Sequence, residues 1–148
     1  MFDKLSNDEP VHEVIKSAFN TDLPIQGAWG YTQELSTTIT SSDTPYVQLE
    51  HMFASMRAYL EMNMTQIESS RYGSINVNEL SREEVTTGDN RYHKVSYAIT
   101  AMKESLYTAF IKEYKENYGE ETFDLSGHFQ KRKEATLHRE VLHWFKIS

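Results

Sequence analysis

Imidazole and carboxylate side chains come together near residue 140 of this 148-residue chain, where His138, Glu140 and His143 lie within six positions. On a helix, Glu140 and His143 share a face, which is half of the metal-binding pattern of di-iron carboxylate bundles. On a strand, His138 and Glu140 share one face and His143 points to the other, so the three side chains cannot ligate one ion. We therefore treat the three as weak metal candidates, assign no metal or other cofactor, and interpret the cluster as local ion pairs.

A second set of charged side chains flanks the most regular helical pattern of the chain. Glu50, Arg57, Glu61 and Glu68 fall near one angular position of that helix, beside its apolar stripe. Because Arg57 and Glu61 are four residues apart, they predict an ion pair on a solvated boundary, which contributes little to stability. The alternative is an arginine held by two carboxylates at the mouth of a pocket, where it meets an anionic ligand.

Aromatic and histidine side chains supply the third candidate. A strand over residues 91–99 places His93 and Tyr97 on one face. If this face meets Trp29, Tyr31 or Trp144, a pocket with an apolar floor and a polar rim results, which is typical of small-molecule sites. The ligand-binding candidates of the sequence are therefore His93, Tyr97, Trp29, Tyr31, Arg57 and Glu61.

Composition and motifs exclude several familiar chemistries. The chain has no cysteine, which excludes disulfides, thiolate nucleophiles and cysteine-bound zinc. It also has no phosphate-binding glycine loop, nucleophile elbow or acidic calcium loop. No apolar run is long enough to cross a bilayer, and the first residues lack the positive and apolar regions of a signal peptide, so we expect a cytoplasmic protein.

Charge is distributed unevenly along the chain, whose net charge is −7. Residues 1–127 carry 10 Lys and Arg against 20 Asp and Glu, whereas residues 128–148 carry 5 against 2. The basic run Lys131-Arg132-Lys133 is too small, beside so acidic a body, to bind a nucleic-acid backbone. We expect this run to lead into the last element or to dock on the acidic surface of a second subunit.

The most regular pattern begins at Thr44 and continues to about Ile67. Apolar side chains recur there at steps of three and four, which predicts a helix with one buried face. Thr44 and Pro45 predict its start, as a capping residue followed by a proline at the first helical position. The expected buried residues are Leu49, Met52, Phe53, Met56, Tyr59, Leu60, Met64 and Ile67.

Weaker patterns surround this central helix. Apolar spacing and turn residues predict helices over residues 8–20 and 102–117, and strands over residues 31–40, 75–87 and 91–99. Gly88 predicts a hairpin turn between the last two of these strands. Three stretches stay open. Within residues 74–87, Ser81 to Glu84 also fit the capping box of a short helix; residues 91–118 also fit one long helix; and residues 135–147 fit either a strand or a terminal helix. A loop is expected over residues 120–127.

The resulting order of strand, helix, strand, strand, helix, strand predicts an α+β fold for a single domain, residues 1–148. After an N-terminal helix it corresponds to a ferredoxin-like βαββαβ arrangement of two layers. The alternative is an all-α four-helix bundle, in which residues 91–118 and 130–147 are both helical. In the α+β arrangement one sheet face needs water or a partner, and we expect a homodimer.

Three functions are consistent with these patterns. The first is a non-catalytic binding or regulatory module that self-associates or binds a small ligand or a protein partner. The second is a small metal-dependent or acid–base enzyme that uses His138, Glu140 or His143 together with His93. The third is an acidic inhibitor that mimics nucleic acid through the carboxylates of its helices.

Overall fold

The computed structural model describes residues 4–40, 43–64 and 71–147. Within these residues the chain forms four helices and a five-stranded mixed sheet, which confirms the predicted α+β class. In chain order the elements are α1 (Val11–Phe19), β1 (Ile25–Gly27), β2 (Thr37–Ile39), α2 (Tyr46–Tyr59) with a π-helical turn (Leu60–Met64), β3 (Tyr72–Thr87), β4 (Asn90–Lys103), α3 (Glu104–Asn117), α4 (Leu125–Ala135) and β5 (Leu137–Ile147).

The sheet has the spatial order β1-β2-β5-β4-β3. β2 and β5 run parallel, and the other neighbouring pairs are antiparallel. The predicted hairpin is confirmed, since Thr87 pairs with Asn90 across the turn that contains Gly88. Gly88 has a φ of +62°, a left-handed conformation that glycine adopts without the steric cost a Cβ would bring.

Alternation of side chains explains why residues 90–103 form a strand. Val95, Tyr97 and Ile99 are buried on one side of β4, and the residues between them face the other side. The four-helix bundle alternative is therefore wrong, because residues 91–118 are a strand followed by α3 and residues 137–147 are a strand. The ferredoxin-like arrangement is not clearly shown, since β2 pairs with β5 in parallel and two helices, rather than one, link β4 to β5.

One predicted strand is much shorter than expected, and two elements were not predicted. Of the strand predicted over residues 31–40, only Thr37–Ile39 is a strand, because residues 31–35 turn back toward β5. β1 follows α1 in a stretch to which the sequence analysis assigned no element. α4 begins inside the predicted loop and continues through the basic stretch, and Asp124 caps it by accepting a hydrogen bond from the backbone N–H of Gly127 at 3.0 Å.

The central helix begins one residue later than predicted, at Tyr46, with Pro45 in the N-cap position. Its buried face is also rotated from the predicted stripe. Leu49, Phe53 and Leu60 are buried as expected, whereas Tyr59 and Met64 are 46% and 68% exposed. Ile67 and Glu68, which the sequence analysis placed on this helix, lie outside the described residues.

Charged side chains of α2 occupy much of the face that packs against the sheet. Glu50, Arg57 and Glu61 are 0%, 1% and 3% exposed, so the predicted solvated boundary is wrong for all three. The physical reason is that the sheet and the loop before β2 supply polar partners for these charges, and a buried charge with partners is tolerated. The π-helical turn then changes the phase of the helix from Leu60 onward.

The main apolar core lies between α1, α2 and one face of the sheet. Trp29, Phe53 and Phe145 are among its largest side chains, and the rings of Trp29 and Phe53 stack with centroids 5.5 Å apart. In the described part of the chain, no helix is long and apolar enough to cross a membrane.

Candidate ligand-binding site

A polar pocket lies where the end of α2 meets β5 and the loop before β2. Its floor is the guanidinium of Arg57, which donates hydrogen bonds to the carbonyl of Trp29 at 3.2 Å and to the carbonyl of Leu142 at 3.0 Å. The guanidinium carbon also lies 4.6 Å from the centre of the Tyr31 ring, within cation–π distance. Burial lowers the pKa of Arg57 and the nearby Glu61 opposes this, and an arginine keeps its charge in such a setting.

Glu61 forms the second polar wall of this pocket. Its carboxylate accepts a short hydrogen bond from the hydroxyl of Tyr31 and a charge-assisted one from Arg139 at 3.2 Å. Burial, and then the hydrogen bond to Glu61, raise the pKa of Tyr31 above its ordinary value. Tyr31 is therefore a proton-bearing donor at neutral pH and not a base.

Gly30 allows the loop that carries Tyr31 to lie directly on β5. Its φ of +87° is left-handed, and a Cβ at this position would lie 2.2 Å from the Cδ2 atom of His143. The carbonyl of Gly30 accepts a hydrogen bond from the backbone N–H of Trp144 at 2.8 Å, and its own N–H donates to the carbonyl of Leu35 at 2.7 Å. A glycine is thus required to bring Tyr31 over Arg57.

The cavity enclosed by these groups has a volume of about 240 Å³. Its lining includes three cations, Lys4, Arg57 and Arg139, but one carboxylate, that of Glu61. The lining therefore has an excess of positive charge, in a protein whose net charge is −7. Low-dielectric walls strengthen the attraction of such a cavity for an anion.

The six predicted ligand-binding candidates separate into two groups. Tyr31, Arg57 and Glu61 line the pocket, and Trp29 contributes its backbone carbonyl while its ring lies in the core. His93 and Tyr97 share a face, as predicted from the strand, but that face packs against the other end of α2. Trp144 lies on the opposite side of the sheet, where it contacts Tyr92 and Lys94.

A second charged cluster surrounds Glu50, near the start of α2. Its carboxylate contacts the Nδ1 atom of His93 at 2.7 Å and accepts a hydrogen bond from Arg82, also at 2.7 Å. Arg82 in turn pairs with Glu79 at 2.7 Å. Tyr97 is buried beside this cluster, and its hydroxyl has no hydrogen-bond partner among the described residues. Burial, and then the charge of Glu50, raise the pKa of Tyr97.

The residues of the C-terminal cluster lie on opposite faces of β5. His143 is fully buried, stacks on Phe145 with ring centroids 4.0 Å apart, and approaches the hydroxyl of Thr37 at 3.1 Å. Burial, and then the charge of Arg57, lower the pKa of His143 well below its ordinary value, so it is neutral in the folded protein. His138 and Glu140 alternate with it on the other face. Among the described residues, no group of three His, Asp or Glu side chains is arranged to hold a metal ion.

Two charged residues of the pocket, Arg139 and Lys4, were not identified as candidates from the sequence. Arg139 lies between His138 and Glu140 and was not singled out, although the strand interpretation of residues 135–147 already places it on the same face as His143. Lys4 has no distinguishing signal in the sequence, because it reaches the pocket only through the N-terminal segment. That segment is held by a hydrogen bond from the N–H of Leu5 to the hydroxyl of Tyr31 at 3.1 Å.

Comparisons of the chain with models of known protein families, with curated protein sequences and with solved structures found no significant match. The chemistry of this pocket is therefore interpreted from its own residues.

Proposed function

We propose that this protein is a non-catalytic binding module for a small anionic ligand, which it holds in the pocket formed by Tyr31, Arg57, Glu61 and Arg139. The observation that carries the proposal is the buried guanidinium of Arg57 at the floor of a cavity whose cations outnumber its carboxylates. Arg57 supplies fixed positive charge, since both of its terminal nitrogens donate to backbone carbonyls. Arg139 is the guanidinium that can bind a carboxylate or phosphate group directly, because two parallel N–H groups can donate to two oxygens of such a ligand.

The size of the cavity supports a small ligand. A volume of about 240 Å³ is below the range of roughly 300 to 1,000 Å³ that is usual for drug-sized molecules. Val141 supplies an apolar wall, so an anion with a short hydrocarbon part also fits the lining. A ligand can reach Arg139, because the side chain of Arg139 is 18% exposed while that of Arg57 is buried. The ligand then competes with Glu61 for the hydrogen bonds of Arg139.

The chemistry of the pocket supports binding more than catalysis. The raised pKa of Tyr31 keeps its proton in place, and Glu61 is engaged by Tyr31 and Arg139. The alternative of an enzyme based on the C-terminal cluster has less support, because His143 lies on the face of β5 opposite to His138 and Glu140. Mimicry of nucleic acid also has less support, since two carboxylates of the central helix, Glu50 and Glu61, are buried.

The proposal predicts that small anions stabilise the protein through Arg139. We expect inorganic phosphate or citrate to raise the melting temperature above that in sodium chloride of equal ionic strength, because a ligand that binds only the folded state stabilises it. Arg139→Gln removes a charged donor and is expected to weaken binding by about tenfold or more, measured by isothermal titration calorimetry.

Arg91→Gln is the matched control for this experiment. Arg91 is also an arginine on the sheet, but its side chain is 51% exposed and its carboxylate partner Glu84 is 3.7 Å away. This variant should keep the full response to phosphate and citrate. An equal response in wild type, Arg139→Gln and Arg91→Gln would mean that the anions act only by exclusion from the protein surface, which would contradict a site at the pocket.

A further inference from the structure

The two helices that connect β4 to β5 form a hairpin that packs only weakly on the rest of the molecule. No residue of α3 is fully buried, and the main apolar core draws none of its residues from α3 or α4. The hairpin begins and ends beside the adjoining ends of two interior strands of the sheet, where Ala101 of β4 pairs with Leu137 of β5. A helix pair with so little support from the sheet has to bury its apolar face by other means.

The hairpin has a small aromatic cluster of its own, centred on His128. The ring of His128 has Phe110, Phe123 and Phe129 within 5.8 Å of its centroid, and it is 2% exposed. This cluster covers only part of the apolar surface of the two helices. Four large apolar side chains of the hairpin, one of them from the cluster itself, are between 43% and 73% exposed, and they are Leu106, Tyr118, Leu125 and Phe129.

Charge is segregated along the same hairpin. The turn between the helices carries the acidic residues Glu120, Glu121 and Asp124, and Glu116 lies just before it at the end of α3. The end of α4 nearest the sheet is basic, and it carries Lys131, Arg132 and Lys133. The dipole of α4 accounts for an acid at its start and bases at its end. It does not account for Glu116, Glu120 and Glu121, which lie outside α4.

We infer that this hairpin is the surface through which two copies of the chain associate, side by side and antiparallel about a two-fold axis. In a two-fold interface the same surface serves both copies, so its charges must be complementary to themselves. Antiparallel pairing places the acidic turn of each copy against the basic end of α4 in the other. It also covers the exposed apolar side chains of both hairpins, and the four helices together form a bundle.

The charge of the whole chain favours this surface over others for a second copy. Residues 1–127 carry an excess of ten negative charges, which opposes close approach of most surfaces of two copies. The basic end of α4 belongs to the segment of the chain that has a positive excess, and it therefore offers an acidic surface a favourable contact. The partner that fits this face is a second copy.

The first experiment measures the mass of the full-length chain by native mass spectrometry and sedimentation equilibrium. We expect a dimer whose dissociation constant rises with salt, and we expect Leu125→Asp to raise that constant by about tenfold or more. Leu125 is the first residue of α4, where a negative charge suits the helix dipole, so this variant should fold.

Val47→Asp is the matched control, since Val47 is a similarly exposed apolar residue in the first turn of α2 and lies outside the hairpin. Its dimer should have the dissociation constant of the wild type. A wild-type chain that stays monomeric up to its solubility limit overturns the inference. So does a dimer that Leu125→Asp leaves unchanged, because its interface then lies elsewhere, for instance on the sheet face opposite α2.

A charge-exchange experiment tests the antiparallel arrangement itself. Reversing the turn with Glu120→Lys and Glu121→Lys, or the end of α4 with Lys131→Glu and Lys133→Glu, should each weaken dimerisation by about tenfold. Combining all four changes in one chain restores both contacts and should restore the dimer. If the two partial variants dimerise as well as the wild type, or if the combined variant stays monomeric, the antiparallel pairing is wrong.

Discussion

Each end of α2 buries a carboxylate against the sheet, but the groups that surround the two carboxylates differ. At the first end, Glu50 contacts His93 and Arg82, and Arg82 also pairs with Glu79. At the other end, Glu61 contacts Tyr31 and Arg139 at the wall of a cavity that Lys4 and the buried Arg57 also line. The charges of the Glu50 cluster pair with one another, while the lining of the cavity beside Glu61 has an excess of positive charge.

This contrast separates a structural role from the binding role that we propose for charges of the same kind. A buried carboxylate whose partners are all protein groups holds elements together, and here it holds α2 to β3 and β4. A buried guanidinium beside a cavity is arranged before any ligand arrives, so a ligand meets an oriented donor at little cost in entropy. Variants at the two ends should therefore differ in which property they change.

The largest effect is expected from Glu50→Ala. It leaves Arg82 and His93 without their buried carboxylate, and breaking such an arrangement costs about 3 to 5 kcal/mol of the free energy of unfolding. Urea denaturation measures this loss. Glu84→Ala is the control. Glu84 lies on β3 with Arg82 and is 61% exposed, so its replacement should cost less than about 0.5 kcal/mol of the free energy of unfolding. The response to phosphate or citrate should survive in the folded fraction of Glu50→Ala, and its loss would contradict the separation of roles.

An intermediate loss of stability is expected when the pH is lowered, because His143 is buried in its neutral form. Because the pKa of His143 is lowered in the folded protein, the unfolded chain takes up a proton at higher pH than the folded one. The free energy of unfolding is therefore fully retained above the pKa of about 6.5 that histidine has in the unfolded chain. Below that pH it falls by up to about 1.4 kcal/mol per pH unit. Urea denaturation between about pH 7 and pH 5 measures the slope.

The variant His143→Gln removes this titration and should show a smaller loss of stability on acidification. His12 provides the control, because its pKa is raised by an exposed hydrogen bond to Asp22 and its contribution has the opposite sign. His12→Gln should therefore leave the loss undiminished. Equal slopes in wild type and His143→Gln would mean that His143 is not the group responsible.

The smallest effects are expected from removing one hydroxyl at each end of α2. Tyr31→Phe removes a donor to the Glu61 carboxylate, which keeps its hydrogen bond from Arg139, and should cost about 0.5 to 1.5 kcal/mol of the free energy of unfolding. It should also weaken anion binding. Tyr97→Phe removes a buried hydroxyl that has no partner among the described residues, and should be neutral or stabilising by about 1 kcal/mol. Thermal and urea denaturation compare the two. A larger loss of stability in Tyr97→Phe than in Tyr31→Phe would contradict this difference between the two ends of α2.

Local patterns predicted much of the fold and part of the site. Alternation along β4, the turn at Gly88 and the apolar spacing of α3 depend on neighbours within a few residues, and all three predictions are confirmed. Tyr31, Arg57 and Glu61 were named as candidates from their residue types and spacing. Arg139 was missed as a site residue because residues 135–147 fitted a helix as well as a strand, and the two interpretations give Arg139 different neighbours.

The buried face of α2 differs from the predicted one, and the reason is physical. Hydrophobic spacing assumes that charged residues face water, and for Glu50, Arg57 and Glu61 this assumption is wrong because distant backbone and side-chain groups satisfy them. The carbonyl of Leu142 and the ring of His93 are 85 and 43 residues away from their partners on α2. Nothing in the local sequence of the helix contains that information.

The sequence by itself determined which segments are helix or strand wherever the period of apolar residues was clear, since that period follows from the geometry of each element. Tertiary structure alone decided which face of α2 is buried, that β2 and β5 pair in parallel, and that Arg57 and Arg139 share one cavity. These outcomes depend on long-range contacts that compensate the burial of charge, and only the folded chain brings those groups within hydrogen-bonding distance.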